Sequence, residues 1–207
     1  MISIVEAAGW PIWPLIFCSI LAMALIAERL MQLRIEKISP PGLLQQVTQQ
    51  VNERFPSNKE IEALAAGSLQ GELFAHALRQ YHANPQMELV SLRASVEPHG
   101  RELAQQLERF LPALGTIASA APLLGLLGTV IGMIEIFGSQ SPGAGNPAQL
   151  AHGISVALYN TAFGLIVAIP SLAFWRYFRH SIDEMVVLME TQTDGLIKHL
   201  CHAKPRS

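Results

Sequence analysis

Two apolar stretches of this chain carry hydroxyl side chains at helical spacing. Thr129 lies within Ala-Pro-Leu-Leu-Gly-Leu-Leu-Gly-Thr-Val-Ile-Gly (Ala121–Gly132), and Thr161 within Ala-Leu-Tyr-Asn-Thr-Ala-Phe-Gly-Leu-Ile-Val-Ala-Ile-Pro (Ala157–Pro170). A helix puts residues three and four apart on one face. Ala118, Pro122, Gly125, Thr129 and Gly132 therefore share a face of the first stretch, and Ala157, Thr161, Gly164/Leu165 and Ala168 a face of the second. Small residues let membrane helices approach closely, as in Gly128-xxx-Gly132. They also leave a narrow, weakly polar wall that offers hydroxyls to a proton or a carboxylic acid. Each threonine lies about eight residues from the end of its stretch nearest the Ser139–His152 loop, so antiparallel helices hold both hydroxyls at similar depth. Threonine does not titrate near neutral pH. No Asp, Lys, Arg or His lies deep in either stretch, and Glu135 is three positions from the end of its own, where a carboxylate reaches water by snorkelling. A proton path here must take its central titrating group mostly from a partner.

The charge pattern states what positions these faces. All 14 Lys and Arg residues fall in Arg29–Arg109 and Arg176–Arg206, while the stretch from Phe110 to Trp175 holds none and a single acid, Glu135. Charge at a bilayer centre is costly, so this partition marks a membrane protein. Three stretches approach or exceed the roughly 20 residues a span needs: Trp10–Ala27, Phe110–Gly138 and Gly153–Tyr177. Between the last two lies a run of turn formers, Ser139–Pro147. Lys and Arg flank the spans at Arg29, Arg34, Lys37, Arg101, Arg109, Arg176 and Arg179, and the other ends carry none, which predicts N-terminus out and C-terminus in. Trp10, Trp13, Trp175 and Tyr177 suit aromatic belts.

The expected organisation is an all-α integral membrane protein. It comprises a periplasmic amphipathic N-terminus (1–9), transmembrane helix 1 (10–28), a cytoplasmic helical region (29–109), transmembrane helix 2 (110–138), a periplasmic loop (139–152), transmembrane helix 3 (153–177) and a cytoplasmic C-terminal helix and tail (178–207). The first segment lacks the basic start of a cleaved signal and is read as retained. In the cytoplasmic region Leu43/Leu44, Val47, Val51 and Phe55 form a helical stripe up to Pro56. Ser57-Asn-Lys-Glu60 has the pattern of a capping box, with Gly67 suited to end that helix. Leu73/Phe74, Ala77/Leu78 and Tyr81 mark a short helix stopped by Asn84-Pro85, and Pro98 is expected to kink the next one. Beyond span three, Ile182, Val186, Met189, Thr193, Leu196/Ile197 and Leu200 recur near every 3.5 residues, a seam that wants a partner helix. Continuous with span three, Gly153–Leu200 would be about 70 Å long. A homo-oligomer with such seams packed between subunits is expected.

At these motifs the chain resembles the MotA/TolQ/ExbB proton channel family. Residues 122–133 and 160–170 match its two signature membrane helices, and three spans favour the ExbB/TolQ branch over the four-span MotA type. The resemblance implies a pentamer around two membrane helices of an ExbD-like single-span partner whose aspartate carries the proton. Ion flow would drive a TonB-like protein that energises outer-membrane transport, all in the bacterial inner membrane. A TolQ-like role in envelope integrity is the alternative. On this reading Thr129, Thr161, Asn160 and Glu135 belong to the ion pathway, and Ala118, Pro122, Gly125, Gly132, Ala157, Gly164 and Ala168 line the pore. The family often has a glutamate five residues before the second threonine; this chain has Val156.

Other classes fit less well. A net charge of −2 with no basic-aromatic cluster argues against a nucleic-acid surface. There is no Gly-x-x-x-x-Gly-Lys phosphate loop, so no ATP chemistry is expected. His199-Leu-Cys-His202 is read as an incidental set of potential ligands, His152 and Ser155 lack a third hydrolytic partner, and Cys18 and Cys201 are too far apart in character to pair. No enzyme activity, cofactor or metal is expected.

Overall fold

The computed structural model describes residues 10–138 and 147–202, apart from the side chains of 147, 149, 152 and 156. The expected amphipathic start (1–9), the Ser139–Asn146 part of the turn-forming run, and the side chains of His152 and Val156 lie outside the described residues.

Among the described residues all regular structure is α-helical: α1 Ile12–Gln32, α2 Ile35–Ile38, α3 Leu43–Glu53, α4 Asn58–Gly67, α5 Leu69–Ala83, α6 Leu89–Glu108, α7 Leu111–Gly138 and α8 Pro147–His202. Three of these, α1, α7 and α8 from Gly153 onward, are long and apolar enough to cross a membrane. The chain is thus an all-α membrane protein. It divides into two compact units, each built from separate stretches of sequence. One takes α1 as far as Arg29 with Phe110–Phe178; the other takes Leu30–Arg109 with the chain from Arg179.

In the apolar unit, α1 buries Ile12, Leu15, Ala22, Ile26 and Arg29, while Trp13, Phe17, Ile20 and Met23 stand exposed. Large apolar side chains on the outside suit hydrocarbon rather than water. Helix α7 repeats the arrangement with opposite emphasis. Its buried face is Leu111, Leu114, Ile117, Ala118, Ala121, Gly125 and Gly128, and its exposed face is Leu123, Leu126, Leu127, Val130, Ile134 and Phe137. From Ala118 onward the buried positions are small and those exposed side chains large. In α8 the buried positions Ala157, Asn160, Gly164, Val167 and Ser171 follow three- and four-residue steps, and Phe178 lies two turns further on the same face. Pro122 and Pro170 lie inside α7 and α8; each removes one backbone donor. Beside Pro170, the Ser171 hydroxyl donates to the Val167 carbonyl at 2.7 Å.

The buried Arg29 lies with its guanidinium 4.7 Å above the Phe110 ring and its Nε 3.0 Å from Glu28 Oε2. The cation of span one is therefore anchored where span two begins.

In the polar unit, Gly42 adopts the left-handed conformation (φ +81°) at the start of α3, which glycine takes without steric cost. Glu60 Oε2 accepts from both the backbone N–H and the hydroxyl of Ser57 at 2.8 Å, fixing the start of α4. The Ser68 hydroxyl accepts from Gly71 N–H at 3.0 Å and caps α5. Helix α5 packs against α4 and α6 and buries Leu73, Phe74, Ala75, Ala77 and Leu78. Helix α6 runs through Pro98 as a single element, buried at Leu92, Val96, Leu103 and Leu107.

The apolar stripe of α8 beyond the spans is covered within the chain, where the sequence suggested a neighbouring subunit. Ile182, Met185, Met189, Thr193, Leu196, Ile197 and Leu200 are buried. Gln70 of α5, wholly buried, donates to the Thr193 hydroxyl at 3.1 Å, and that hydroxyl donates to the Met189 carbonyl at 2.7 Å. On another side a methyl placed on Gly195 would come within 3.3 Å of Leu44 Cδ2. A polar contact in an apolar seam fixes its register, because a slip would take the buried Gln70 amide away from the Thr193 hydroxyl.

Candidate functional site: the α7–α8 seam

The two signature stretches meet in the apolar unit, and glycine is what lets them meet. A methyl built on Gly125 would sit 2.7 Å from the Asn160 carbonyl oxygen and 3.2 Å from Gly164 Cα; one on Gly164 would sit 2.6 Å from the Ala121 carbonyl oxygen. These neighbours are backbone, so no rotamer change relieves them. A methyl on Gly128 would meet Asn160 Cβ at 2.7 Å, and one on Gly132 would meet Ala157 Cβ at 3.2 Å. The helices are closest at Gly125/Gly164 and the contact relaxes toward Gly132.

Close approach puts polar groups within reach across the seam. The Thr161 hydroxyl donates to the Gly125 carbonyl at 3.3 Å, a hydrogen bond between helices in the middle of two apolar spans. Asn160 stands next to it with only 2% of its surface exposed. Thr129 is placed differently. Its hydroxyl donates to the Leu126 carbonyl of its own helix at 2.6 Å. With Val130, Met133, Ile134 and Phe137 it lines an open groove of about 480 Å³. Within one chain the two hydroxyls are thus not joined to each other; each is held by a backbone carbonyl.

The other sequence-selected residues divide along the same line. Ala118, Gly125, Ala157 and Ala168 are buried, Gly164 is buried in the seam, and Pro122 and Gly132 are half-buried. Glu135 is exposed near the end of α7. Sequence reasoning passed over Ala121, whose carbonyl oxygen is what a Gly164 methyl would strike, and Gly115, where a methyl would lie 2.8 Å from the Trp175 ring nitrogen. Both continue the buried face of α7 at steps of three and four, so the signal was present but unmarked by any polar group.

Outside the spans, Cys201 is half-buried and burial pushes its thiol pKa up, away from thiolate chemistry. His199 Nε2 is 2.9 Å from Asn52 Oδ1. Among the described residues no group of three or more His, Cys, Asp or Glu side chains is arranged to hold a metal ion.

These features define a polytopic α-helical membrane protein whose second and third spans are locked by glycine and bridged by a hydroxyl rather than by charge. A family model described as the MotA/TolQ/ExbB proton channel family matches residues 65–191, which include both signature stretches, and the chain belongs to that family. It is 34% identical over 179 residues to the biopolymer transport protein exbB1 of Vibrio cholerae, covering 81% of this chain and 74% of that one. It is 32% identical over 205 residues to the putative biopolymer transport protein ExbB-like 3 of Synechocystis, covering 90% and 89%. A third relative is the Tol-Pal system protein TolQ of Haemophilus influenzae, 33% identical over 121 residues and covering 53% of each chain. The family moves protons or energises transport and is not a family of enzymes.

Proposed function

We propose that this chain is an ExbB-like channel and stator subunit of the bacterial inner membrane. Five copies surround the membrane helices of an ExbD-like single-span partner and couple the proton motive force, through a TonB-like protein, to outer-membrane transport. The N-terminus is periplasmic and the polar unit cytoplasmic, as the distribution of Lys and Arg favours. The partner's aspartate takes up and releases the proton. Thr161, Asn160 and Thr129 offer it uncharged hydrogen-bonding groups at mid-membrane, and Glu135 stands at the periplasmic mouth. Ala118, Pro122, Gly125, Gly132, Ala157, Gly164 and Ala168 set how closely the two lining helices stand and hence the width of the path.

The observation that carries this reading is the Thr161–Gly125 hydrogen bond, made in a seam within the Phe110–Trp175 stretch that holds no Lys, Arg or Asp. A hydroxyl both donates and accepts, so Thr161 can turn from the carbonyl to a protonated carboxyl without leaving a charge behind. The TolQ relative favours a second reading, in which the same machinery serves a Tol-Pal-like envelope system. The wider coverage by ExbB-named relatives supports the first.

The test replaces Thr161 and, separately, Thr129 with valine and measures uptake driven by the proton motive force in a deletion strain. Loss of uptake with normal assembly is expected. Full uptake in both variants would refute the pathway. Detergent sensitivity of the deletion strain, with normal iron and cobalamin uptake, would move the assignment to the Tol-Pal-like system.

A further inference from the structure

In the polar unit, α5 and α6 turn two histidine rings toward each other. His76 of α5 and His99 of α6 stack with centroids 4.6 Å apart and planes inclined by 23°. Their surroundings differ. His99 Nε2 lies 3.4 Å from Glu72 of α5 and its Nδ1 3.2 Å from Glu102 of α6. Each nitrogen of this ring thus faces a carboxylate acceptor, and only the charged form of a histidine ring donates from both nitrogens. The neighbours of His76 are the Gln80 side chain at 3.5 Å, a hydrogen bond to the backbone of Ser95 on α6, Arg79 on its own helix, and the more distant Glu102. Burial, and then the positive charge of His99, hold its pKa below the usual 6.5.

The α6 side of this contact also lacks one helix hydrogen bond. Pro98, the residue before His99, has no N–H to give the Ala94 carbonyl. Segment 94–99 therefore leans on its contacts with α5.

We propose that the His76–His99 stack is a proton-sensitive joint between α5 and α6, closed while the pair carries one positive charge and opened by a second. With one charge, His99 is held by Glu72 and Glu102 and the neutral His76 ring lies against it. With two, like charges face each other at ring-stacking distance, and Arg79 adds a third cation nearby. Because the folded chain binds the second proton less readily than the unfolded one, this contact weakens as pH falls below about 6.5. A chain of a proton channel family thus has, outside its spans, a contact that loosens as protons accumulate. Its link to conduction rests on the function proposed above; the joint itself does not.

The test uses the full chain in detergent, with no channel assay, so that failure here and failure of the channel reading stay distinguishable. Histidine ring resonances are followed by NMR from pH 8 to pH 5, and backbone hydrogen exchange is measured over the same range. Two midpoints more than about one pH unit apart are expected, the lower one rising in His99→Gln. Exchange in residues 92–103, corrected for its intrinsic pH dependence, is expected to rise about tenfold below the lower midpoint. That rise should vanish in His76→Phe, which keeps a ring on His99 without its charge. Two rings that titrate independently, or exchange that stays flat with pH or rises equally in His76→Phe, would overturn the proposal.

Discussion

Replacing Gly164 with alanine tests the seam at its tightest point. The added methyl would lie 2.6 Å from the Ala121 carbonyl oxygen and 3.1 Å from Gly125 Cα. Ordinary contact requires a separation of roughly 3.4 Å or more, so α7 and α8 must move apart by about 0.8 Å. Such a shift carries the 3.3 Å Thr161–Gly125 bond beyond hydrogen-bonding range and forfeits about a quarter to a half of the dispersion energy of each seam contact. Overpacking of this kind costs about 1–3 kcal/mol, and a lost hydrogen bond between membrane helices about 0.6 kcal/mol. The higher helix propensity of alanine returns at most about 1 kcal/mol. The net expectation is a loss of about 2 kcal/mol. The assay is unfolding of the purified chain in mixed micelles, followed by circular dichroism. Gly132→Ala, where the methyl meets only another methyl at 3.2 Å, should lose less, and Gly138→Ala, with nothing within 4 Å, should lose nothing. Equal stability of Gly164→Ala and Gly138→Ala would refute the reasoning.

Other outcomes follow from the polar unit and the span ends. Ser68→Ala removes the acceptor for Gly71 N–H and should cost about 1 kcal/mol, read from the same unfolding curves. Asp194 is drawn below its usual value by Lys198 and then Arg93, so the stability it contributes is present above pH 4 and lost as pH falls through its lowered value. The side chain is part-exposed and both its cationic partners reach solvent, so Asp194→Asn should lower stability at pH 7 by under about 1 kcal/mol, with the difference shrinking in high salt. Phe110→Leu keeps the apolar bulk but removes the ring beneath Arg29; a loss of about 1 kcal/mol is expected, and unchanged stability would count against the anchor.

Much of the helical framework was legible because hydropathy and charge act locally. The absence of Lys and Arg from Phe110 to Trp175 located two spans, and Ser57 with Glu60 marked the start of α4. The small residues of α7 and α8 were legible as a face, but a one-dimensional pattern does not say what that face meets. Thr129 and Thr161 look equivalent by depth, yet one bonds its own helix and the other its neighbour. The distinction is one of helix rotation, which depends on Gly125 and Gly164 being the point of closest approach. The stripe from Ile182 to Leu200 read as a seam awaiting another subunit because its partner, α5, lies more than a hundred residues earlier. His76 and His99 left no trace in the sequence: 23 positions separate them, on two helices whose pairing no periodicity records.

The most direct measurement is proton flux into proteoliposomes under an imposed pH gradient, with and without an ExbD-like partner. The account expects background flux from this chain alone, flux when the partner is present, and a drop of about tenfold or more when Thr161→Val replaces the wild-type chain in that complex. Flux from the chain alone equal to that of the complex, or a Thr161→Val complex that assembles and conducts like wild type, would contradict it.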